Sequence, residues 1–137
     1  MSQFLATEAD TFELARTYAP LWRAGDLVLL QGPLGVGKTT FVRYVADAMG
    51  FEGPVRSPTF TLIQALPTDP PIAHVDLYRL SSAQNIGIED YRATHLVIVE
   101  WPERAPELLE EEGAWLLRFS FVEGGRSVDV SRIGVAE

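Results

Sequence analysis

Residues 27–40 read LVLLQGPLGVGKTT, and the reading of this stretch decides the fold. Leu27 to Leu30 form a short apolar run of the length and type of a buried strand. Gly32, Gly37, Lys38 and Thr39 then fit G-x-x-x-x-G-K-[ST], the P-loop pattern. Phe41 to Met49 follows with helical spacing and stops at Gly50, a natural residue just past a helix end. Four fixed positions match by chance in roughly one chain in a few hundred of this length. The strand before and the helix after supply the context that the pattern needs.

The chemistry of such a loop follows from its residues. A nucleotide β-phosphate is densely negative and needs several donors at once. Glycines let the backbone adopt positive φ and turn consecutive N–H groups inward as an anion nest. The helix N-terminus adds unpaired N–H groups and the positive end of its dipole. Lys38 is placed to neutralise β/γ oxygens, and the Thr39 hydroxyl to ligate Mg²⁺. The candidate nucleotide-binding residues are therefore Gly32, Pro33, Leu34, Gly35, Val36, Gly37, Lys38, Thr39 and Thr40.

Composition bounds the rest. A chain of 137 residues is sized for one domain, 1–137, with a single core, and 47% hydrophobic and 22% charged residues are ordinary globular values. There is no cysteine, hence no disulfide framework and no zinc–thiolate site, as suits a reducing cytosol. MSQFLATEAD lacks the basic and apolar regions of a signal peptide, and no run approaches a membrane span, so the expected location is cytoplasmic with no membrane partner. The net charge is −8, with 19 acids against 11 bases, and Lys38 is the only lysine. A protein that grips nucleic acid unaided usually shows a basic face. A nucleic-acid substrate would have to be held by a partner.

Thr7 to Ala19 reads as a helix with Thr7 as N-cap, Glu8 and Asp10 in its first turn, and Phe12, Ala15 and Ala19 on one face. Pro20 stops it. Val55 to Leu66 is extended and holds Ser57-Pro58-Thr59; Pro67 to Pro71 is a turn. Ile72 to Leu77 and Leu96 to Val99 are strands whose ends carry the acids Asp76 and Glu100. Ser81 to Tyr91 holds a short helix interrupted by Gly87, and Pro102 to Glu112 is an acidic helix or turn. Ala114 to Val122, Gly124-Gly125 and Arg126 to Ile133 read as a hairpin. Phe12, Leu14, Phe41 and Val45 are core candidates. The alternation implies an α/β three-layer sandwich of the P-loop NTPase class. It has a mostly parallel sheet, helices on both faces and an antiparallel C-terminal hairpin at its edge.

A P-loop enzyme needs an acid at the tip of a neighbouring strand, in the crevice where α/β sheets bind ligands. Asp76 and Glu100 both qualify. Thr59, after a proline that holds Ser57 extended, is either a switch residue for the γ-phosphate or part of a turn. His74 reads as a structural residue inside its strand. Trp101 stacks on a ligand or packs, and Arg79 stabilises phosphate or pairs with an acid. The run from Glu103 to Glu112 reads as a solvated face, with a partner surface as the alternative.

The strings GPLGVGKTT, SPTFTL, HVDLYRL, GIEDY and VEWPE resemble, in order and spacing, those of the bacterial TsaE family (formerly YjeE). The resemblance runs from Leu5 to Trp101. It implies a small cytosolic P-loop ATPase that works with TsaB and TsaD in making threonylcarbamoyladenosine beside the tRNA anticodon. The tRNA would be reached only through those partners, and ATP hydrolysis would reset the TsaB–TsaD pair. By the same resemblance Thr39 and Glu100 serve Mg²⁺, while Thr59 and Asp76 are switch and catalytic elements. Trp101 matches the family tryptophan, and the base pocket lies between Thr7 and Arg126. The family loop usually reads G-D-L-G-A-G-K-T-T; here Pro33 and Val36 depart from it, and Pro33 removes one N–H donor. The acidic stretch usual before G-I-x-D-Y is reduced to Ala83-Gln84-Asn85.

The reading is thus an ATPase in which Lys38 holds phosphate and Asp76 positions or deprotonates water. A small-molecule kinase would need an Arg-rich lid, and arginines here are scattered. A nucleotide-sensing adaptor without turnover would use the same loop. A GTPase would need an N-K-x-D string, which is absent.

Overall fold

A strand covered on both faces has no polar side to show, and all five residues of Leu96–Glu100 are buried. It runs parallel to Leu27–Gln31 on one side and to Ile72–Asp76 on the other. In the computed structural model, which describes residues 2–53, 55, 62–80 and 86–135, these strands belong to one seven-stranded sheet. In chain order the strands are β1 (Ser2–Leu5), β2 (Leu27–Gln31), β3 (Ile63–Leu66), β4 (Ile72–Asp76), β5 (Leu96–Glu100), β6 (Trp115–Val122) and β7 (Gly125–Arg132). Their spatial order is β1-β7-β6-β2-β5-β4-β3. The four central strands β6, β2, β5 and β4 are parallel neighbours; β7, β1 and β3 are antiparallel to theirs.

The sheet is therefore parallel through its centre, as expected, and mixed at its flanks. The expected hairpin exists as β6 and β7, but it is not an edge. Leu117 and its neighbours in β6 pair with β2, and the far edge is β1, whose Leu5 sits opposite Arg126. Gly125 belongs there on steric grounds: a Cβ would stand 2.5 Å from the Leu5 carbonyl oxygen.

Two helices, α1 (Glu8–Tyr18) and α2 (Lys38–Ala48), lie on one face of this sheet. Asp10 caps the start of α1, its carboxylate accepting the N–H groups of Ala6 at 2.8 Å and Thr7 at 3.1 Å. Its buried stripe is Thr11, Leu14 and Ala15, not the expected Phe12, Ala15 and Ala19. Ala19 is buried but falls just past the helix, and half-buried Phe12 turns outward to meet Tyr44 edge-on at 5.2 Å. α2 packs Phe41, Val42, Val45 and Ala46 onto Val28, Leu30 and Ile98. It begins at Lys38, three residues before the expected Phe41, and closes at Gly50 with φ of 97°.

The other face carries no α-helix among the described residues, so the helices seen are on one face only. Leu27, Leu29, Val75, Val97 and Val99 are covered there largely by 3-10 turns at Ile88–Asp90, Pro102–Arg104 and Pro106–Glu110. The stretch from Pro102 to Glu112 has a proline at the start of each short turn, and a proline inside a helix would break it. Half of the expected helix at Ser81–Tyr91 lies outside the described residues, and Ile88–Asp90 is one 3-10 turn.

The two faces of α1 give a stability test. Leu14→Ala should cost about 2–5 kcal/mol in urea unfolding, as for a filled core position, and Phe12→Ala distinctly less. Equal losses would contradict the orientation of α1.

Candidate functional site

The carboxyl ends of β2, β5 and β4 lie side by side, and each delivers something to one crevice. Leu30, one residue before the end of β2, pairs with Glu100, and Asp76 pairs with Glu100 from the other side. β2 runs straight into the glycine loop and α2. Because side chains alternate, Ile72, His74 and Asp76 share the α2 face of the sheet with Leu96, Ile98 and Glu100.

The loop has the backbone that glycine permits. At Gly32, with φ of 150°, a Cβ would lie 2.7 Å from the Phe119 carbonyl oxygen and 3.0 Å from Val36. Gly37, with φ of 112°, is the N-cap of α2 and turns the chain into the helix. Pro33 accepts the Val36 N–H at 3.2 Å, which closes the turn of the loop. Leu34 is exposed and Val36 is buried. Thr40 lies half-buried in the first turn of α2.

Lys38 is 4% exposed, unusual for a lysine. Its Nζ donates to the Gly32 carbonyl at 2.5 Å and lies 3.4 Å from the centroid of the Trp101 ring. Burial pushes its ammonium below the ordinary lysine value, while the carboxylates of Glu100, Glu103 and Asp76 pull the other way. Trp101 follows Glu100 in a left-handed conformation, φ 61° and ψ 49°, which a bulky residue rarely adopts. That turn brings its indole over Lys38 and within 4.9 Å of the Tyr78 ring. Trp101 thus stands at the lysine end of the loop.

Glu100 is the centre of the polar contacts. Although 3% exposed, it accepts the Thr39 hydroxyl at 2.8 and 3.0 Å, and its Oε2 lies 2.7 Å from His74 Nε2. Asp76 is half-buried, and its Oδ1 accepts the Tyr78 N–H at 3.0 Å. His74 is completely buried. The sequence reading placed it inside the strand as structural and missed its contact with Glu100. The available signal was its two-residue spacing from Asp76, which puts both on one strand face.

The oxygen donors fit Mg²⁺. Among the described residues no group of three or more His, Cys, Asp or Glu could hold a metal alone. Magnesium seldom uses an all-protein cage; it takes one or two carboxylates with phosphate oxygens and water. A hydroxyl bonded to a buried carboxylate at the start of a helix is such a partial set. Thr59 lies outside the described residues.

The base pocket is expected between Thr7 and Arg126. The β1–β7 pairing brings the segment leading to Thr7 alongside Arg126, whose guanidinium carbon lies 5.5 Å from the Phe121 ring. Next to Thr7, Glu8 accepts Arg43 Nη2 at 2.7 Å and the Tyr44 hydroxyl. These contacts hold the Glu8 carboxyl below its ordinary value, the Tyr44 hydrogen bond foremost and Arg126 contributing least. Arg79 lies exposed in the turn after β4.

The chain is thus an α/β protein whose P-loop sequence links a central parallel strand to a helix, with an acid from the adjacent strand against that helix. The TsaE family model, described as threonylcarbamoyl adenosine biosynthesis protein TsaE, matches residues 5–128, and the chain belongs to this family. The TsaE protein of Streptomyces coelicolor is 41% identical over 107 residues, covering 73% of this chain and 72% of the relative. That of Aquifex aeolicus is 40% identical over 103 residues, covering 73% and 75%. Both are described as tRNA threonylcarbamoyladenosine biosynthesis proteins. The crystal structure of Bacillus subtilis YdiB superposes with a TM-score of 0.82 at 25% identity, covering 98% of this chain and 86% of that one.

Gly32 and Gly35 give contrasting tests of the loop. Gly32→Ala must displace the Phe119 backbone, whereas a Cβ at Gly35 meets nothing within 4 Å and bears only its strained φ of 79°. Thermal melts of the unliganded protein should show the larger loss for Gly32→Ala, with about 1–3 kcal/mol of strain at each site before that clash is added.

Proposed function

We propose that this protein is a Mg²⁺-dependent ATPase of the cytosol that acts on a TsaB–TsaD complex in tRNA threonylcarbamoylation, meeting the tRNA only through those partners. One observation carries the reading: Lys38, Thr39, Asp76 and Glu100 converge at the end of the P-loop strand. No helix of the described residues is long and apolar enough to cross a membrane.

In this mechanism the amides of residues 32–38 and the Lys38 ammonium bind the ATP phosphates. Lys38 exchanges the Gly32 carbonyl and the Trp101 face for phosphate oxygens. Thr39 and Glu100 would hold Mg²⁺, which when bound neutralises charge on the phosphate oxygens. Asp76, beside Glu100, orients the attacking water and takes its proton. The water oxygen bonds to the γ-phosphorus, the bond from that phosphorus to the bridging β–γ oxygen breaks, and ADP and phosphate leave. Thr59 is assigned the sensing of the γ-phosphate, and Thr7 and Arg126 the flanks of the base. Positioning and charge stabilisation supply most of the rate gain in such a reaction. Turnover is slow until the partners engage, and Thr59 is the residue assigned to respond to them.

Two variants test the roles. Lys38→Ala should weaken ATP binding by about 10- to 100-fold in calorimetry, the loss expected for charged hydrogen bonds. Asp76→Asn should bind ATP normally and lose about 10²- to 10⁴-fold in hydrolysis. Hydrolysis by the wild type should rise when purified TsaB–TsaD and tRNA are added; an Asp76→Asn protein with full turnover would remove Asp76 from the mechanism.

A further inference from the structure

We propose that His74 is a positioning residue that holds the Glu100 carboxylate in its metal-facing orientation. This rests on the reading of Thr39 and Glu100 as the Mg²⁺ pair.

The Thr39 hydroxyl reaches both oxygens of Glu100, at 2.8 and 3.0 Å, so it does not distinguish them. A carboxylate can swing about its terminal bond while keeping such a contact, because that torsion is broad. His74 removes the ambiguity. A carboxylate only accepts, so Nε2 must carry the hydrogen, and it donates to Oε2 alone at 2.7 Å. The imidazole is itself fixed. It is fully buried in β4, between strands that pair with it through Gln64 on one side and Ile98 on the other.

Packing does not account for a histidine here. The same strand face carries Ile72, Leu96 and Ile98, all fully buried, and an aliphatic side chain would join them without polar cost. His74 instead leaves Nδ1 buried without a partner. An unsatisfied buried polar group costs about 1–3 kcal/mol. The bond to Glu100 is the compensation the structure offers, and what that bond controls is the direction in which a buried anionic oxygen points. Groups that orient a metal's ligands typically change metal affinity by about 10- to 100-fold when removed.

The test separates metal affinity from nucleotide affinity. A fluorescent, non-hydrolysable ATP analogue is bound to wild type, His74→Leu and His74→Gln, first in EDTA and then over a Mg²⁺ titration. His74→Leu should raise the Mg²⁺ midpoint by about 10- to 100-fold and leave binding in EDTA unchanged. Glutamine places an amide N–H near the position of Nε2, so His74→Gln should recover most of the midpoint. If His74→Leu does not fold, His74→Asn serves in its place, its shorter amide falling short of Glu100. A Mg²⁺ midpoint unmoved in the leucine variant overturns the proposal. So does a loss equally large in EDTA, or a glutamine variant no better than leucine or asparagine. A wild type whose analogue binding ignores Mg²⁺ overturns the ATPase reading, and this proposal with it.

Discussion

A carboxylate buried at the tip of β5, beside the central strand, is the constraint around which the crevice is built. Taking an isolated carboxylate out of water costs several kcal/mol unless hydrogen bonds and opposite charge offset it. Glu100 has such partners on every side the fold provides. Thr39 and the Lys38 charge come from the first turn of α2, and His74 from the strand beside it. Each partner is delivered by an element whose position depends on the sheet. If β4 slipped by one residue against β5, His74 and Asp76 would both turn to the opposite face, and the carboxylate would lose its imidazole.

The sheet makes that register secure. Its four parallel strands are packed on both faces, and the antiparallel strands sit outside them. The C-terminal hairpin is structural in this sense. β6 completes the flank of β2, and Phe119 supplies the backbone against which Gly32 is pressed. Two of the 3-10 turns on the second face, Pro102–Arg104 and Pro106–Glu110, come just after Glu100, so the chain that covers part of that side also carries Trp101 back over Lys38.

Much of this was legible in the chain itself, for local reasons. The loop glycines and the apolar run ending in Glu100 are short-range signals, and each appears where its chemistry put it. The hairpin turn falls one residue earlier than Gly124-Gly125, at Glu123-Gly124, and Gly125 opens β7. What was hidden depends on pairing across distance. Nothing in residues 115–122 says that they will run parallel to residues 27–31, and nothing in Ser2–Leu5 announces a strand until β7 is there to receive it. Phe12 looked like core because it is large and apolar, yet the face of α1 was set by Leu14 and by the position of α2. His74 looked structural because a strand pattern shows which face a side chain takes and not which neighbour it meets there.

The contact between Lys38, the Gly32 carbonyl and the Trp101 ring has one more consequence. The ammonium already has an internal ligand set, so any phosphate that takes it competes with the protein's own backbone and indole. An affinity measured for this loop is therefore a difference between two occupancies of one cation. Sequence changes at Trp101 would alter that internal ligand set directly, whatever takes its place on the cation.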